Sequence, residues 1–237
     1  MQTRGTFALA LAAIGVLSLA ACSTAPTQPV PGSSQPAPSG FLKDYSLLAP
    51  DADTPGYRHY MAPGVNAGQY RSFIVDAPVF IINTQGVYDA LSPDRLQEIS
   101  NYYVSRLAAA LGTHYRVVQK PGPGVARLRI AVVGLVEAGP QLKIRDLVPA
   151  KALFNVARMA VDETPHALRM SIESEARDSQ TGKLLGAAVD SRQSRTTVSG
   201  RDTPPSDDQV HALVDYWVAR FVARLDRANG YPTAADE

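Results

Sequence analysis

The sequence has little cysteine and little histidine, and it lacks the common catalytic motifs. It contains one cysteine, Cys22, and four histidines that lie far apart in the chain. One thiol cannot form an intramolecular disulfide, and no HExxH, CxxC or His-x-Glu spacing is present, which excludes the usual zinc patterns. The GxSxG and SxxK patterns of serine nucleophiles are absent as well. The sequence therefore predicts no metal site, no cofactor and no enzymatic activity.

The chain also has no surplus of charge of either sign. Residues 1–21 contain Arg4 and no acidic residue, so the remainder holds 22 basic and 22 acidic side chains. A nucleic-acid-binding protein would show a basic surplus or a basic stripe, and a polybasic membrane patch would do the same. No nucleic-acid partner is expected.

The N-terminus has the pattern of a bacterial leader. Arg4 precedes an uncharged run, Phe7–Leu19, which is shorter than the roughly 20 residues that a membrane-spanning helix needs. The following run, Leu19-Ala20-Ala21-Cys22, resembles the lipobox of bacterial lipoproteins at all four positions. This resemblance implies cleavage after residue 21 and lipid attachment at Cys22, whose acyl chains would be the membrane partner. Ser23, which stands where an aspartate would retain the protein at the inner membrane, implies sorting to the outer membrane.

Composition divides the rest of the chain. Residues 22–40 are rich in Pro, Ser, Thr and Gln and cannot bury enough apolar surface to fold, so they predict an extended tether. Polyproline geometry would give this tether a reach of roughly 55 Å. Residues 41–230 are long enough for one periplasmic domain with its own core, and residues 231–237 are expected to be a disordered tail.

Periodicity predicts an α+β fold. Strands are expected over 72–82, with a bulge or edge at Pro78, and over 114–119 and 126–139, followed by a hairpin of 167–178 with 183–192. Amphipathic helices are expected over 92–112 and from residue 207 to the Asn229-Gly230 stop, with a weaker helix from Ala150. This order predicts a two-layer sandwich in which the helices pack on one face of a mixed, mostly antiparallel sheet.

Four acidic residues near the hairpin are the candidates for chemistry: Glu173, Glu175, Asp178 and Asp190. Paired carboxylates can catalyse glycoside hydrolysis by acid/base action. Glu173 and Glu175 also share the polar face of their strand with Arg169 and Arg177. Together with Arg127 and Arg129 on another strand, they fit cross-strand charge pairs on a solvated sheet face. The structural interpretation is favoured, and the hydrolase stays an alternative.

Two features of the region 51–70 have a functional and a structural interpretation. DADTPG, residues 51–56, begins like a calcium loop, but Pro55 occupies a ligand position and Ala62 stands where the last carboxylate is needed. It is therefore interpreted as a solvated loop. Tyr57, Tyr60 and Tyr70 either line a ligand groove or pack on the domain.

Four stretches together resemble a family of bacterial lipoproteins, domain-of-unknown-function family 3313. They are SGFLKDYSLL (39–48), YRHYMAPGVNAGQYRSFIVDAPVFI (57–81), RLRIAVVGL (127–135) and IESEARDSQTGKLLGAAVDSR (172–192). The most distinctive parts are the Gly40-Phe41-Leu42-x-Asp44-Tyr45 opening and the Asp178-x-x-Thr181-Gly182 turn. Lys183 stands where the family often has an acidic residue. The resemblance implies a lipoprotein and transfers no catalytic residue.

These observations favour a non-enzymatic envelope lipoprotein that binds or assembles with an envelope protein, a lipid or cell-wall material. One alternative is an envelope hydrolase acting on cell-wall glycan through the hairpin carboxylates. Another is a carrier of a small ligand or lipid, which would require a sizeable apolar pocket between the helices and the sheet.

Overall fold

The computed structural model describes residues 27–30, 37–81, 92–138, 166–198 and 205–233. Within these ranges the chain forms nine strands and two α-helices around one sheet. The strands are β1 (Thr27–Pro29), β2 (Ala49–Pro50), β3 (Tyr57–Met61), β4 (Ser72–Val75), β5 (Val79–Ile81), β6 (Arg116–Val117), β7 (Val125–Ala138), β8 (His166–Asp178) and β9 (Leu184–Val198). The helices are α1 (Pro93–Leu111) and α2 (Asp207–Ala228).

The sheet is mixed, with the order β2-β3-β9-β8-β7-β4-β6, and β1 and β5 pair with β9 and β7. Pairings among β1, β2, β3, β7, β8 and β9 are antiparallel, whereas β4 is parallel to β6 and β7, and β5 is parallel to β7. Both helices contact each other and the sheet. The predicted α+β sandwich is confirmed.

Both predicted helices begin and end where their capping residues stand. The Ser92 hydroxyl accepts from the Arg95 backbone N–H at 3.2 Å, and Pro93 occupies the first turn of α1. Ser206 and Gln209 form a reciprocal capping box at α2. The apolar stripes of both helices join one core with β4, β7, β8 and β9. Neither helix in the described ranges is long and apolar enough to cross a membrane.

Pro78 interrupts its strand as predicted. Val75 pairs with Leu128 and Val79 pairs with Ala131, so four residues on one side span three on the other. This one-residue bulge accommodates a residue that has no N–H to donate. The helix predicted from Ala150 lies outside the described residues.

The predicted domain boundaries are too narrow at both ends. Thr27–Pro29, expected to be unfolded tether, is strand β1, and its Thr27 and the following Val30 are buried. β1 pairs with Arg192–Ser194, a partner far away in sequence that composition could not reveal. At the other end, Tyr231 stacks on His114 with ring centroids 4.2 Å apart, and Thr233 is buried. The expectation of disorder therefore fails at residues 27–30 and 231–233.

Candidate functional site

The four candidate carboxylates do not form one cluster. Glu173 and Glu175 project from one face of the sheet, because they are two residues apart on β8. Asp190 pairs with Ile172 and so projects from the opposite face, towards α2. Asp178 lies at the end of β8, beside the turn. The shared acidic site on which the hydrolase alternative depends is not assembled.

Glu173 is covered, which corrects the expectation of a solvated sheet face. Its side chain is only 3% exposed because residues 39–45 lie across it. Ser39 donates from its backbone N–H at 3.0 Å and from its hydroxyl at 2.7 Å, and the Tyr45 hydroxyl also donates to the carboxylate. The Tyr45 oxygen in turn accepts from the Gly40 N–H at 2.9 Å. The distinctive motif that begins at Gly40 is thus part of a segment that covers the buried Glu173.

Glu175 is neutralised by two arginines. Arg129 on β7 lies directly opposite it, with Nη1 at 2.5 Å from one carboxylate oxygen, which confirms the predicted proximity of Arg129. Arg177 binds the same carboxylate at 2.9 and 2.8 Å. The Phe41 ring lies 5.2 Å from the Arg129 guanidinium carbon. Glu173 and Glu175 are therefore buried and fully engaged, whereas an acid/base pair must reach its substrate.

Asp178 organises the turn between β8 and β9. Its Oδ1 accepts from the Thr181 backbone N–H and hydroxyl, both at 2.8 Å, and Gly182 adopts the left-handed conformation with φ +71°. Tyr70 donates to Oδ2 at 3.2 Å. These hydrogen bonds lower the pKa of Asp178, with those from Thr181 contributing most. The second distinctive family motif, Asp178-x-x-Thr181-Gly182, therefore stabilises the turn between β8 and β9.

Asp190 is a buried ion-pair residue. Arg192 Nε donates to both of its oxygens at 3.0 and 3.1 Å, and Trp217 Nε1 on α2 donates to Oδ2 at 3.1 Å. Burial raises the pKa of Asp190, and the charge and hydrogen bond of Arg192 oppose that rise. Asp190 and Arg192 both lie on β9, and the hydrogen bond from Trp217 to Asp190 links α2 to that strand. Removing either member of the ion pair would leave the other charge buried without a counterion.

A cavity of about 350 Å³ lies between α2 and the sheet. Its floor consists of β8 and β9 residues, most of them small, that face the helices: Ile172, Ser174, Ala176, Gly186 and Ala188. Its roof includes Trp217, Val218, Phe221 and Leu225 of α2. Because the floor side chains are short, the sheet and the helix leave space between them. The described chain thus contains the apolar pocket that the carrier alternative requires.

The cavity has an apolar inner end and a polar mouth. The inner end is formed by buried Phe73, Tyr103, Leu107 and Leu128, beneath α1 and α2. Towards the sheet edge, β3 contributes Tyr57, His59 and Met61, and Met61 is 58% exposed. Arg220 and Arg224, one helical turn apart on α2, line the same end. The cavity is therefore amphipathic along its length.

The loop 51–56 holds these arginines and is not a merely solvated loop. Thr54 is only 4% exposed, and its hydroxyl accepts from Arg220 and, at 3.3 Å, from Arg224. Arg224 also lies 3.6 Å from Asp51 and 3.8 Å above the Tyr57 ring. Among the described residues, no group of His, Cys, Asp and Glu side chains could hold a metal ion.

Arg220 has fewer hydrogen-bond and ion-pair partners than Arg224. Its Nε is buried and has no hydrogen-bond partner within the described part of the chain. In those same ranges no carboxylate forms an ion pair with it, whereas Arg224 has Asp51 and Arg192 has Asp190. An unmade hydrogen bond from a buried donor costs about 1–3 kcal/mol. The mouth therefore carries a guanidinium that has no direct ion-pair partner among the described residues and interacts with Asp190 only at longer range.

Only one group of residues that forms this site could be predicted from the sequence. Tyr57, Tyr60 and Tyr70 are the residues for which the sequence leaves a groove interpretation open, and all three line the cavity. The small residues Gly186 and Ala188 look like ordinary strand positions in the sequence. Gly186 pairs with Met61 and Ala176, and Ala188 pairs with His59 and Ser174, which places both below α2. Arg220 and Arg224 flank the apolar stripe of α2, and arginines in such positions are normally predicted to be solvent-exposed. The cavity is a product of non-local packing.

Comparison with known proteins identifies the family. The family described as "Protein of unknown function (DUF3313)" matches residues 37–221, more than half of the chain. The chain therefore belongs to this family, which confirms the resemblance found in its motifs. It is also 24% identical over 212 residues to an uncharacterized lipoprotein, YdcL, of Escherichia coli strain K12, covering 89% of this chain and 92% of that protein. The protein is accordingly placed among the bacterial envelope lipoproteins of this family, which have no assigned role.

Similarity to solved structures is weaker. The PelC dodecamer from Paraburkholderia phytofirmans aligns with a TM-score of 0.36 and 14% identity, over 68% of this chain and 93% of that one. A lipoprotein from Neisseria meningitidis aligns with a TM-score of 0.33 and 16% identity, over 66% and 98% of the two chains. Likeness at this level establishes neither a common fold nor a common function.

Proposed function

We propose that the protein is a non-enzymatic binding module of the bacterial envelope that takes up a small apolar molecule between α2 and the sheet. The observation that carries this proposal is the cavity of about 350 Å³, which lies in the range of roughly 300–1,000 Å³ typical of ligand pockets. Engagement of the candidate carboxylates in ion pairs and hydrogen bonds favours binding over hydrolysis. Lipid attachment at Cys22, with Ser23 next to it, would hold the domain at the outer membrane, facing the periplasm.

The test is binding of the neutral fluorescent probe N-phenyl-1-naphthylamine to the mature chain, residues 22–237, produced without its leader. We expect saturable fluorescence enhancement with one site per chain. Ala188→Leu fills the cavity floor between Ser174 and His59 and should weaken probe binding by about tenfold or more. Filling a void does not impose the strain of overpacking, so thermal stability should not fall.

Ala219→Leu is the matched control, because Ala219 lies on the exposed side of α2 and does not line the cavity. This variant should bind the probe as the parent chain does. Absence of saturable binding by the parent chain, or equal binding by the Ala188→Leu variant, would contradict the proposed function.

A further inference from the structure

We infer that the ligand is an amphiphile with one hydrocarbon chain and an anionic head group, a carboxylate or a phosphate, and that Arg220 binds the head. This inference rests on the proposed function and specifies the chemical class of its ligand. The apolar end of the cavity would receive the chain, and the mouth at β3 would receive the head.

The sign of the head follows from the charges around the mouth. Asp190 is occupied by Arg192 and Trp217, and Asp51 lies beside Arg224. Arg220 is the guanidinium of this group that has no ion-pair partner among the described residues. A cationic head would meet this charge without a free carboxylate, whereas an anionic head would neutralise it.

The hydrogen-bonding capacity of Arg220 supports the same class. Its Nη2 is bound to Thr54, and its guanidinium carbon lies 5.5 Å from the centroid of the Tyr216 ring, so the group is held in place before a ligand arrives. Carboxylate and phosphate oxygens are the acceptors that a guanidinium binds most strongly. A neutral apolar ligand would leave the charge of this guanidinium without a counterion.

The shape of the cavity restricts the hydrophobic part. The inner end is bounded by Phe73, Tyr103 and Leu107, which are buried in the core. A volume of about 350 Å³ is near the lower limit for ligand pockets, so it suits a single chain better than a diacyl lipid. Fatty acids and monoacyl phospholipids share this chemistry.

The experiment measures displacement of N-phenyl-1-naphthylamine from the mature chain by dodecanoate, dodecyl phosphate, dodecan-1-ol and inorganic phosphate. We expect the two anionic amphiphiles to displace the probe at concentrations about tenfold or more below that of the alcohol. Inorganic phosphate should not displace it. Arg220→Gln should abolish the advantage of the anions while leaving displacement by the alcohol unchanged, which also verifies that the variant is folded.

Two further variants complete the test. Arg220→Lys retains the charge and should keep most of the preference for anions. Arg116→Gln removes an exposed arginine at the far sheet edge and should have no effect. If the alcohol competes as well as the anions in the parent chain, or if the Arg220→Gln variant keeps the preference, the inference is wrong and the proposed function still stands. Probe binding that no amphiphile displaces would also overturn the inference, and absence of probe binding would overturn the proposed function itself.

Discussion

At the scale of single residues, Asp178 shows how one carboxylate can stabilise a turn in a pH-dependent manner. It accepts two hydrogen bonds from Thr181 and one from Tyr70. Its folded-state pKa is lowered, mainly by the bonds from Thr181. The stabilisation is therefore present above the unfolded-state pKa of about 3.9 and is lost as the pH falls through the folded-state value.

Asp178→Ala should lower the free energy of unfolding at pH 7 by about 0.5–1 kcal/mol, a modest effect because the carboxylate is partly exposed to solvent. The difference between this variant and the parent chain should shrink as the pH falls below about 4, since the parent then loses its carboxylate. Urea unfolding at pH 7 and pH 3 measures both values. A difference that is the same at the two pH values would show that the carboxylate charge is not responsible.

At the scale of elements, the segment 39–45 is the least expected part of the structure. It covers Glu173 on the sheet face opposite the helices, and the Tyr45 hydroxyl connects Gly40 and Leu42 of the segment to that carboxylate. Tyr45→Phe removes this hydroxyl and leaves a buried carboxylate with fewer donors, so we expect a loss of about 1–3 kcal/mol in the free energy of unfolding.

Chemical denaturation of the parent and the Tyr45→Phe variant gives this free energy directly. Tyr60→Phe, the same change elsewhere, serves as a control, since the Tyr60 hydroxyl donates no hydrogen bond within the described residues. Equal stability of the Tyr45→Phe variant and the parent would mean that the Tyr45 hydroxyl does not hold the segment and that the Ser39 hydrogen bonds and Leu42 packing suffice.

The elements with local signals were predictable, and those made by distant contacts were not. Ser92 and the Ser206–Gln209 capping box located both helices, and the Asp178 turn located the hairpin. The same alternation that identified β8 could not say what covers each face, because coverage depends on segment 39–45 and on α2. The cavity could be anticipated only as something that the carrier alternative requires. Its floor is formed by residues of different strands, and the sequence does not show how these strands pair.

At the scale of the whole molecule, β1 changes how the domain would be placed at a membrane. Four residues separate Cys22 from Thr27, so this stretch spans at most about 18 Å even when fully extended, compared with the roughly 55 Å expected from an unfolded tether to residue 40. Pro29 pairs with Arg192 and Tyr57 pairs with Asp190, two positions apart on β9 or about 7 Å. The cavity mouth at β3 therefore lies next to β1, the strand nearest to the predicted anchor. A membrane amphiphile would then be close to the cavity mouth.

This arrangement depends on lipid at Cys22, which Cys22→Ala tests. The variant should incorporate no labelled fatty acid and should appear as unprocessed or released protein, because stable anchoring requires covalent acyl chains. Ser23→Asp is the matched variant: it should keep the label and shift the protein from the outer to the inner membrane fraction. Fatty-acid labelling combined with membrane fractionation separates the two effects. Labelling that persists without Cys22 would refute the anchor, whereas outer-membrane location of the Ser23→Asp variant would refute only the sorting assignment.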